Sequence, residues 1–332
     1  MPIRVLKPGL LSTIQDLGRP GYQSAGIPAC GAMDRYSMRL ANMLCGNEPG
    51  AAVLEIAWHG AQWITESDIL LAFCGGGATW WVNDRELPSG RPALVPAFSM
   101  ISLGPDARGF YSYLAAAGGF RAQVHQGSAS TYIPARMGGH QGRALQSGDI
   151  LETGVVKTKL AQRIGESLES KGKGYNYPGW GIDTEFDPAP VKEIRVLEGP
   201  ESNWFEVIPG TGQLQETFAI SPYSNRMATR LEGKKFPARG KREMLSTAVT
   251  RGTVQVTHDG TLLVLMADAQ TTGGYPRIAQ VAAADLPRIA QLRPGERIRF
   301  KRISWEQAED LYLEQERKLK QLERSIAMRF GW

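Results

Sequence analysis

Short runs of apolar residues, separated by glycine, proline and aspartate or asparagine, recur through the first half of the chain. They lie at residues 54–58, 69–73, 79–82, 93–95, 100–103 and 111–115. Runs of this length bounded by turn-forming residues are typical of strands, and their close spacing favours a β-sandwich or barrel over an alternating α/β sheet. In the second half, runs at 254–256 and 262–266 flank turn residues at 258–260 and predict a hairpin. The pattern therefore predicts a mainly β fold.

Two segments have the periodicity of helices. Residues 33–44 place four apolar side chains on one face, and residues 45–47 form a helix stop. Near the end of the chain, Ser304 and Gln307 form a capping box ahead of a charged helix that ends near residue 329. The apolar stripe of this last helix is narrow, and we expect it to pack on its own domain. Its members are Leu311, Leu319, Leu322 and Ile326.

The stem Ile-Arg-Val-Leu occurs twice, at residues 3–6 and 194–197, and each copy leads towards an apolar, arginine-rich segment. The repetition favours two related domains with chemistry between them, although four matching residues can also arise by chance. After residue 157, glycine, proline and lysine become frequent, which is typical of a connection. We therefore predict an N-terminal domain at 1–157, a connecting segment at 158–190, a C-terminal domain at 191–303 and a C-terminal helix at 304–332.

Composition excludes several classes of protein. A chain of 332 residues with 42% hydrophobic content can bury the cores of two domains. We find no apolar run as long as a signal-peptide core or a membrane span, so we expect no membrane association. The three cysteines lack CxxC spacing, which argues against a disulfide framework or a zinc ribbon and favours a cytoplasmic protein.

Charge and motifs exclude further classes. The net charge of +5 is modest, and aromatic residues are not interleaved within the basic clusters at 171–173, 234–235 and 239–242. We therefore expect solvated loop charge and no nucleic-acid partner. The four histidines lack metal-ligand spacing, so no metal site is predicted. Residues 74–77, Cys-Gly-Gly-Gly, lead into another strand-like run, which favours a tight turn over a phosphate loop.

Two loops concentrate polar side chains beside glycine and proline. Residues 12–23 hold an amide, a carboxylate, a guanidinium and a phenol within a turn-forming sequence. Such groups on a rigid turn can orient a small polar substrate, although Asp16 and Arg19 can equally pair with each other to hold the loop. Residues 267–276 have the same character around a Gly-Gly turn, and their position after a predicted strand places them at a barrel rim.

These loops and several further strings are similar to one protein family. On the basis of these loops and strings, the chain resembles the KipA family, also called allophanate hydrolase subunit 2-like or biotin-dependent carboxyltransferase-like proteins. The resemblance extends to about residue 300. The strings are specific for the family but not for one activity within it. They are residues 12–21, 31–42, 54–55, 115–119, 127–131, 138–145, 148–149, 230–233 and 268–279.

The resemblance implies two cyclophilin-like β-barrel domains with a few helices, which agrees with the strand spacing and the repeat. It also implies a component of a 5-oxoprolinase, which opens the 5-oxoproline lactam to L-glutamate while ATP is hydrolysed. Members of the family work beside a KipI-like protein, and 5-oxoprolinase adds a LamB/YcsF-like protein as a third component. The chain is therefore expected to be inactive alone, and ATP is expected for the complex without assignment to one of its chains.

Residue type and motif position, rather than the resemblance itself, indicate which side chains serve the site. Guanidinium groups can bind carboxylate or phosphate, whereas amides and carboxylates can orient a substrate or water. We expect catalytic roles for Gln15, Asp16, Arg19, Asp34 and Arg35. We expect substrate-binding roles for Asn42, Glu55, Thr271, Thr272 and Tyr275.

The second half departs from the family pattern, and two other functions stay open. The family string Ser-Asp-Arg-Met-Gly-Tyr-Arg-Leu reads Ser-Asn-Arg-Met-Ala-Thr-Arg-Leu at residues 224–231, which argues against an acid or base role there. One alternative is a biotin-dependent carboxyltransferase component that acts on urea or allophanate, with biotin carried by another protein. The other is a regulatory protein that antagonises a KipI-like kinase inhibitor.

Overall fold

The computed structural model describes residues 1–169, 175–183, 189–205, 216–237 and 244–331. The basic clusters predicted at 171–173 and 239–242 lie outside these ranges, as does part of the connection predicted at 158–190. The chain forms two compact units. The first unit contains Met1–Arg19, Asp34–Phe186 and Leu319–Trp332, and the second contains Pro20–Met33 and Asp187–Lys318.

The strands of the first unit form two antiparallel sheets. In spatial order, the six-stranded sheet contains β11 (Ile150–Glu152), β1 (Pro2–Lys7), β4 (Gln62–Thr65), β9 (Met100–Leu103), β6 (Trp80–Val82) and β7 (Arg85–Leu87). The five-stranded sheet contains β2 (Leu11–Gln15), β3 (Val53–Ala57), β10 (Tyr111–Ala116), β5 (Ile69–Gly75) and β8 (Pro92–Val95). Each apolar run of the first half forms a strand, so these strand predictions are confirmed.

The five-stranded sheet has one apolar and one polar face. Because side chains alternate across a strand, Ile14, Leu54 and Leu114 share the face that packs on the core around Trp63 and Trp80. The glycine turn that follows β5 has positive φ angles at Gly75, Gly76 and Gly77. It leads to β6, which confirms the tight turn predicted there.

Four polar side chains form a row on the other face of the five-stranded sheet. Thr13 pairs with Glu55, Glu55 with Tyr113, and Tyr113 with Cys74 on successive strands. The backbone N–H of Asp34 donates to the Tyr113 hydroxyl, so the start of a helix lies against this row. The sheet therefore brings together polar groups that lie far apart in the sequence.

The helix that starts beside this row is α1 (Arg35–Leu44), which confirms the helix predicted at 33–44. Asp34 is its N-cap, because its carboxylate accepts from the Ser37 N–H at 2.9 Å and from the Ser37 hydroxyl at 2.6 Å. Cys45 is the C-cap, and Gly46 follows with a φ of 67°. The first unit also contains α2 (Lys159–Glu169), within the segment predicted to be a connection.

The second unit is built around a closed barrel. Around the barrel the strands are β12 (Val191–Glu198), β19 (Arg277–Val281), β16 (Thr253–Val256), β17 (Leu262–Leu265), β14 (Ala228–Glu232), β13 (Phe218–Ile220) and β20 (Arg297–Arg302). The predicted hairpin is confirmed, because Val254 pairs with Val264 and Val256 with Leu262. Outside the barrel lie β15 (Thr247–Ala248), β18 (Thr272–Gly273) and α3 (Leu286–Ala290). The predicted mainly β fold is confirmed.

The two Ile-Arg-Val-Leu stems form β1 and β12. In each strand the isoleucine and the valine are buried, at Ile3 and Val5 and at Ile194 and Val196. The repeated string therefore places the same apolar alternation in the core of each unit.

The C-terminal helix is α4 (Trp305–Arg329). Its capping box is present, because the Ser304 N–H donates to Gln307 Oε1 at 2.9 Å and the Gln307 N–H donates to Ser304 Oγ at 3.3 Å. Ala308 packs on Leu197 and Ala282 of the same unit. Among the described residues, no helix is long and apolar enough to cross a membrane.

Candidate active site

Three strings of the sequence meet in one loop cluster of the first unit. The Thr131 N–H donates to the Ile14 carbonyl at 3.0 Å, and the Gly139 N–H donates to the Ala129 carbonyl at 2.9 Å. A β-carbon on Gly138 would lie 2.1 Å from the Ser130 carbonyl oxygen, and Gly138 has a φ of +67°. Only glycine fits there, because the two backbones approach so closely. The strings at 12–21, 127–131 and 138–145 thus form a single structural feature.

Asp16 holds this loop cluster together. Its Oδ1 accepts from the Gly18 N–H at 2.7 Å and from the Ser128 and Ser130 hydroxyls at 2.6 Å each. Its Oδ2 accepts from the Ala129 N–H at 2.6 Å. These donors surround a buried carboxylate, so Asp16 fixes the loop. The predicted alternative, a pair between Asp16 and Arg19, is not among these contacts of the described residues.

Arg19 lies beside the same loop and is 1% exposed. Its Nε donates to the His125 carbonyl at 3.3 Å, and its Nη2 donates to the Ser130 carbonyl. Its Nη1 is buried without a hydrogen-bond partner among the residues that the structure describes. A buried guanidinium N–H is normally paired, so this donor is suited to a ligand atom.

Gln15 supplies the complementary group. Its Nε2 donates to the Thr13 hydroxyl at 3.0 Å and to the Thr131 carbonyl at 3.2 Å. Its Oε1 is buried and, within the described ranges, accepts no hydrogen bond. Arg19 and Gln15 therefore bind the adjacent carbonyls of Ser130 and Thr131 with one end of each side chain, and each keeps one unsatisfied atom at the other end.

A second polar cluster lies at the start of α1. The Tyr113 hydroxyl donates to Glu55 Oε2 at 2.8 Å and accepts from the Asp34 N–H at 2.6 Å. Burial raises the pKa of Tyr113, and the nearby carboxylates of Glu55 and Asp34 raise it further. Burial also raises the pKa of Cys74, with Asp34 as the second cause, so the thiol stays neutral. Arg35, the first residue of α1, is half-buried.

We expect Tyr113→Phe to destabilise the protein by about 1–3 kcal/mol, because it leaves a buried carboxylate and a buried N–H without this partner. Thermal unfolding and hydrogen exchange at the start of α1 measure the effect. Tyr177→Phe is the matched control, because Tyr177 is partly exposed at 37%. Wild-type stability of Tyr113→Phe would contradict the structural role of this hydroxyl.

Asn42 is fully buried inside α1 and holds the loop that follows the helix. Its Nδ2 donates to the Ala51 carbonyl at 2.8 Å, and its Oδ1 accepts from Asn47 at 3.1 Å. Asn47 and Ala51 line an open cleft of about 390 Å³. A second cleft, of about 380 Å³, lies beside Tyr223 in the second unit. None of the ten predicted site residues lines either of these two clefts.

The three remaining predicted residues belong to the second unit. The Thr271 carbonyl accepts from the Val249 N–H at 3.0 Å, and Thr272 is exposed on β18. The Tyr275 ring packs edge-on against His258, with 5.3 Å between the ring centroids. Gln255, which sequence reasoning missed, donates to the Tyr275 carbonyl at 3.2 Å. Among described residues, no group of three or more His, Cys, Asp or Glu side chains is arranged to hold a metal ion.

Arg143 and Asp149 form an ion pair at the edge of the loop cluster. Two guanidinium nitrogens of Arg143 lie 2.7 and 2.8 Å from the two carboxylate oxygens of Asp149. These hydrogen bonds, followed by one from the Gln146 N–H, lower the pKa of Asp149 from 3.8 to about 2. The ion pair therefore joins the string at 138–145 to the string at 148–149.

The pair predicts a specific acid sensitivity. Because the folded-state pKa of Asp149 is depressed, its contribution is fully present above pH 4 and is lost as the pH falls from about 4 towards 2. That contribution is about 2 kcal/mol at neutral pH. We expect Arg143→Gln to be less stable than wild type at pH 7 and nearly equal to it at pH 2, measured by thermal unfolding. An equal difference at both values of pH would contradict the assignment.

The chain matches one family model and is similar to two curated proteins over nearly its whole length. A family model described as carboxyltransferase domain, subdomain A and B, matches residues 25–302. The chain is 35% identical to the C subunit of 5-oxoprolinase from Escherichia coli (strain K12), over 96% of this chain and 97% of that protein. It is 33% identical to the C subunit of 5-oxoprolinase from Haemophilus influenzae, over 95% and 96%.

Among solved structures, the urea amidolyase of K. lactis superimposes with a TM-score of 0.81 and 26% identity. The match covers 96% of this chain but only 20% of the urea amidolyase. The chain thus spans about a fifth of that larger enzyme.

Proposed function

This chain belongs to the carboxyltransferase-domain family with subdomains A and B, and we propose that it is one component of an ATP-dependent 5-oxoprolinase. One observation carries the proposal: the 35% identity to the C subunit of 5-oxoprolinase extends over 97% of that protein. A match over nearly the whole length of both chains supports the same role for the whole chain, not for one domain only.

The proposed reaction consumes 5-oxoproline, ATP and two waters and yields L-glutamate, ADP and phosphate. A five-membered lactam resists hydrolysis because its amide carbon is a poor electrophile. Transfer of a phosphoryl group to the lactam oxygen activates that carbon for attack by water, after which the ring C–N bond breaks. A second water releases the phosphate. We assign ATP to the assembled complex rather than to this chain.

The unsatisfied atoms of Arg19 and Gln15 suit this substrate. A lactam presents its carbonyl oxygen and its N–H on the same edge, because the ring holds the amide in the cis form. In the proposed complex, Arg19 Nη1 donates to the substrate oxygen and, after transfer, to the phosphoryl group on that oxygen, and Gln15 Oε1 accepts from the lactam N–H. Asp16 fixes the loop that carries both contacts.

The remaining predicted residues take supporting roles in the proposal. Asp34, Arg35 and Glu55 orient substrate or water at the start of α1, next to the Tyr113 hydroxyl. Asn42 acts through the loop that it holds. The substrate-binding roles of Thr271, Thr272 and Tyr275 stay predictions from their position in the 268–279 string.

The names of the relatives, each one subunit of an enzyme, support an assembly of several chains. We propose a KipI-like protein and a LamB/YcsF-like protein as partners, in a cytoplasmic hetero-oligomer, with this chain inactive alone. The three chains should be co-expressed and phosphate release measured with 5-oxoproline, urea, allophanate or no substrate. We expect release with 5-oxoproline only, and release that does not depend on 5-oxoproline would contradict the proposal.

A second candidate is a carboxyltransferase component that acts on urea with biotin on a separate carrier. The similarity to the K. lactis urea amidolyase favours it, but at 26% identity. Carboxyl transfer from a carboxybiotin carrier to urea, measured with labelled bicarbonate, distinguishes the two functions. The regulatory role towards a KipI-like inhibitor stays a prediction from the sequence.

A further inference from the structure

The residues that precede α1 have an unusual backbone. Cys30 has a φ of 56° and Gly31 a φ of 93°, so two consecutive residues are left-handed, and Cys30 is not a glycine. A non-glycine residue in this region is strained and persists only where surrounding contacts impose it. Residues 30–33 are also buried, so their carbonyl groups need donors.

Two arginines supply those donors to three consecutive carbonyls. Arg226 Nη2 donates to the Gly31 carbonyl at 2.8 Å. Arg251 Nη1 donates to the Ala32 carbonyl at 3.1 Å, and Arg251 Nη2 donates to the Met33 carbonyl. The planar fork of a guanidinium reaches two acceptors in fixed geometry, which a lysine ammonium cannot do. We call Arg226 and Arg251 the arginine clamp.

The clamp is itself held in place. Arg226 Nε and Nη2 lie 2.8 and 2.9 Å from the two carboxylate oxygens of Asp268, and both side chains are buried. The Asp268 N–H donates back to the Arg226 carbonyl at 2.9 Å. Gln280 Nε2 donates to the Arg251 carbonyl at 3.0 Å. The two-point contact with Asp268 fixes the orientation of the Arg226 guanidinium.

The clamp ends at the peptide group that joins Met33 to Asp34. The Met33 carbonyl accepts from Arg251. Asp34 and Arg35 follow directly along the chain, and the Met33–Asp34 peptide is a rigid planar group. A rotation of this peptide would displace both.

We propose that Arg226 and Arg251 are positioning residues, which bind the strained segment 30–33 and thereby fix the backbone that leads into Asp34 and Arg35. The functional part rests on the proposed 5-oxoprolinase activity. Neither arginine needs to touch the substrate. A displacement of about 1 Å in a reacting group can cost on the order of 100-fold in rate.

The test compares Arg251→Lys and Arg226→Lys with Arg297→Lys, a matched control on the exposed side of β20. Each variant is assembled with the partner chains, and kcat and KM for 5-oxoproline are measured. Hydrogen exchange of each variant is followed at residues 30–37 and, as a check of folding, in β12. For Arg251→Ala, guanidinium chloride at millimolar concentration is tested for restoration of kcat. Sodium chloride at the same ionic strength is the control.

We expect Arg251→Lys to lower kcat by about 10- to 100-fold with KM changed less than threefold. Exchange at residues 30–37 should rise at least tenfold while β12 stays protected, and guanidinium should restore part of the kcat of Arg251→Ala. Unchanged exchange at 30–37 would show that the clamp does not hold the segment. Faster exchange with wild-type kcat would refute the positioning role. A wild-type complex without 5-oxoproline turnover would refute the proposed function, while the exchange data would still decide the clamp.

Discussion

Arg19→Lys is expected to lower 5-oxoproline turnover of the assembled complex by about 100- to 1,000-fold. Arg19 donates to the His125 and Ser130 carbonyls and keeps Nη1 for the substrate oxygen. A lysine ammonium cannot make all three contacts in this planar arrangement. The loss of a donor to the phosphorylated intermediate should appear mainly in kcat. Steady-state kinetics with 5-oxoproline gives kcat and KM, and thermal unfolding of the same preparation reports whether the loop cluster survives.

Arg121→Lys is the matched control, because the Arg121 side chain is 61% exposed and pairs with Glu152, which is 62% exposed. Its turnover should stay within twofold of wild type. Turnover above half of the wild-type value for a folded Arg19→Lys complex would remove Arg19 from the substrate site. An equally low turnover in Arg19→Lys and Arg121→Lys would indicate that assembly of the complex is impaired.

Asp16→Asn is expected to give the largest loss of stability, about 3 kcal/mol, because four donors converge on a buried carboxylate that the amide cannot replace. An asparagine presents an N–H₂ group to at least one of these donors. Thermal unfolding monitored by near-ultraviolet circular dichroism measures the loss, and hydrogen exchange at residues 127–131 locates it.

Asp84→Asn is the control for this substitution, because Asp84 is exposed beside β7. We expect its melting temperature to stay within about one degree of wild type, as is usual for exposed substitutions. A wild-type melting temperature for Asp16→Asn would show that the carboxylate does not hold the loop. The catalytic role that the sequence predicts for Asp16 would then be the remaining explanation.

Local patterns predicted the parts of the fold that depend on neighbours in the sequence. The apolar runs became strands, the hairpin at 254–264 formed, and Ser304 with Gln307 capped α4, because alternation, turn residues and capping are properties of short segments. The position of residues 20–33 does not follow from local patterns. The prediction placed them in the first domain, but they belong to the second unit, where Arg226 and Arg251 bind the carbonyls of residues 31–33.

The sequence suggests candidate residues for the site but not the contacts that they make. Asp16 and Arg19 were selected for their charge, yet Asp16 binds serines more than a hundred positions away, and Arg19 binds backbone carbonyls. Tyr113 was missed because an aromatic residue in an apolar run predicts a strand rather than a polar contact. One signal was available: Thr13 and Glu55 are polar residues within apolar strands, which indicates a second, polar face of the sheet.

Formation of glutamate from 5-oxoproline by the assembled complex, measured with and without this chain, tests the proposed function at its centre. We predict glutamate and phosphate in equal amounts when the KipI-like, LamB/YcsF-like and present chains are combined with ATP, and none when this chain is left out. Undiminished glutamate formation by the other two chains alone would contradict the proposal.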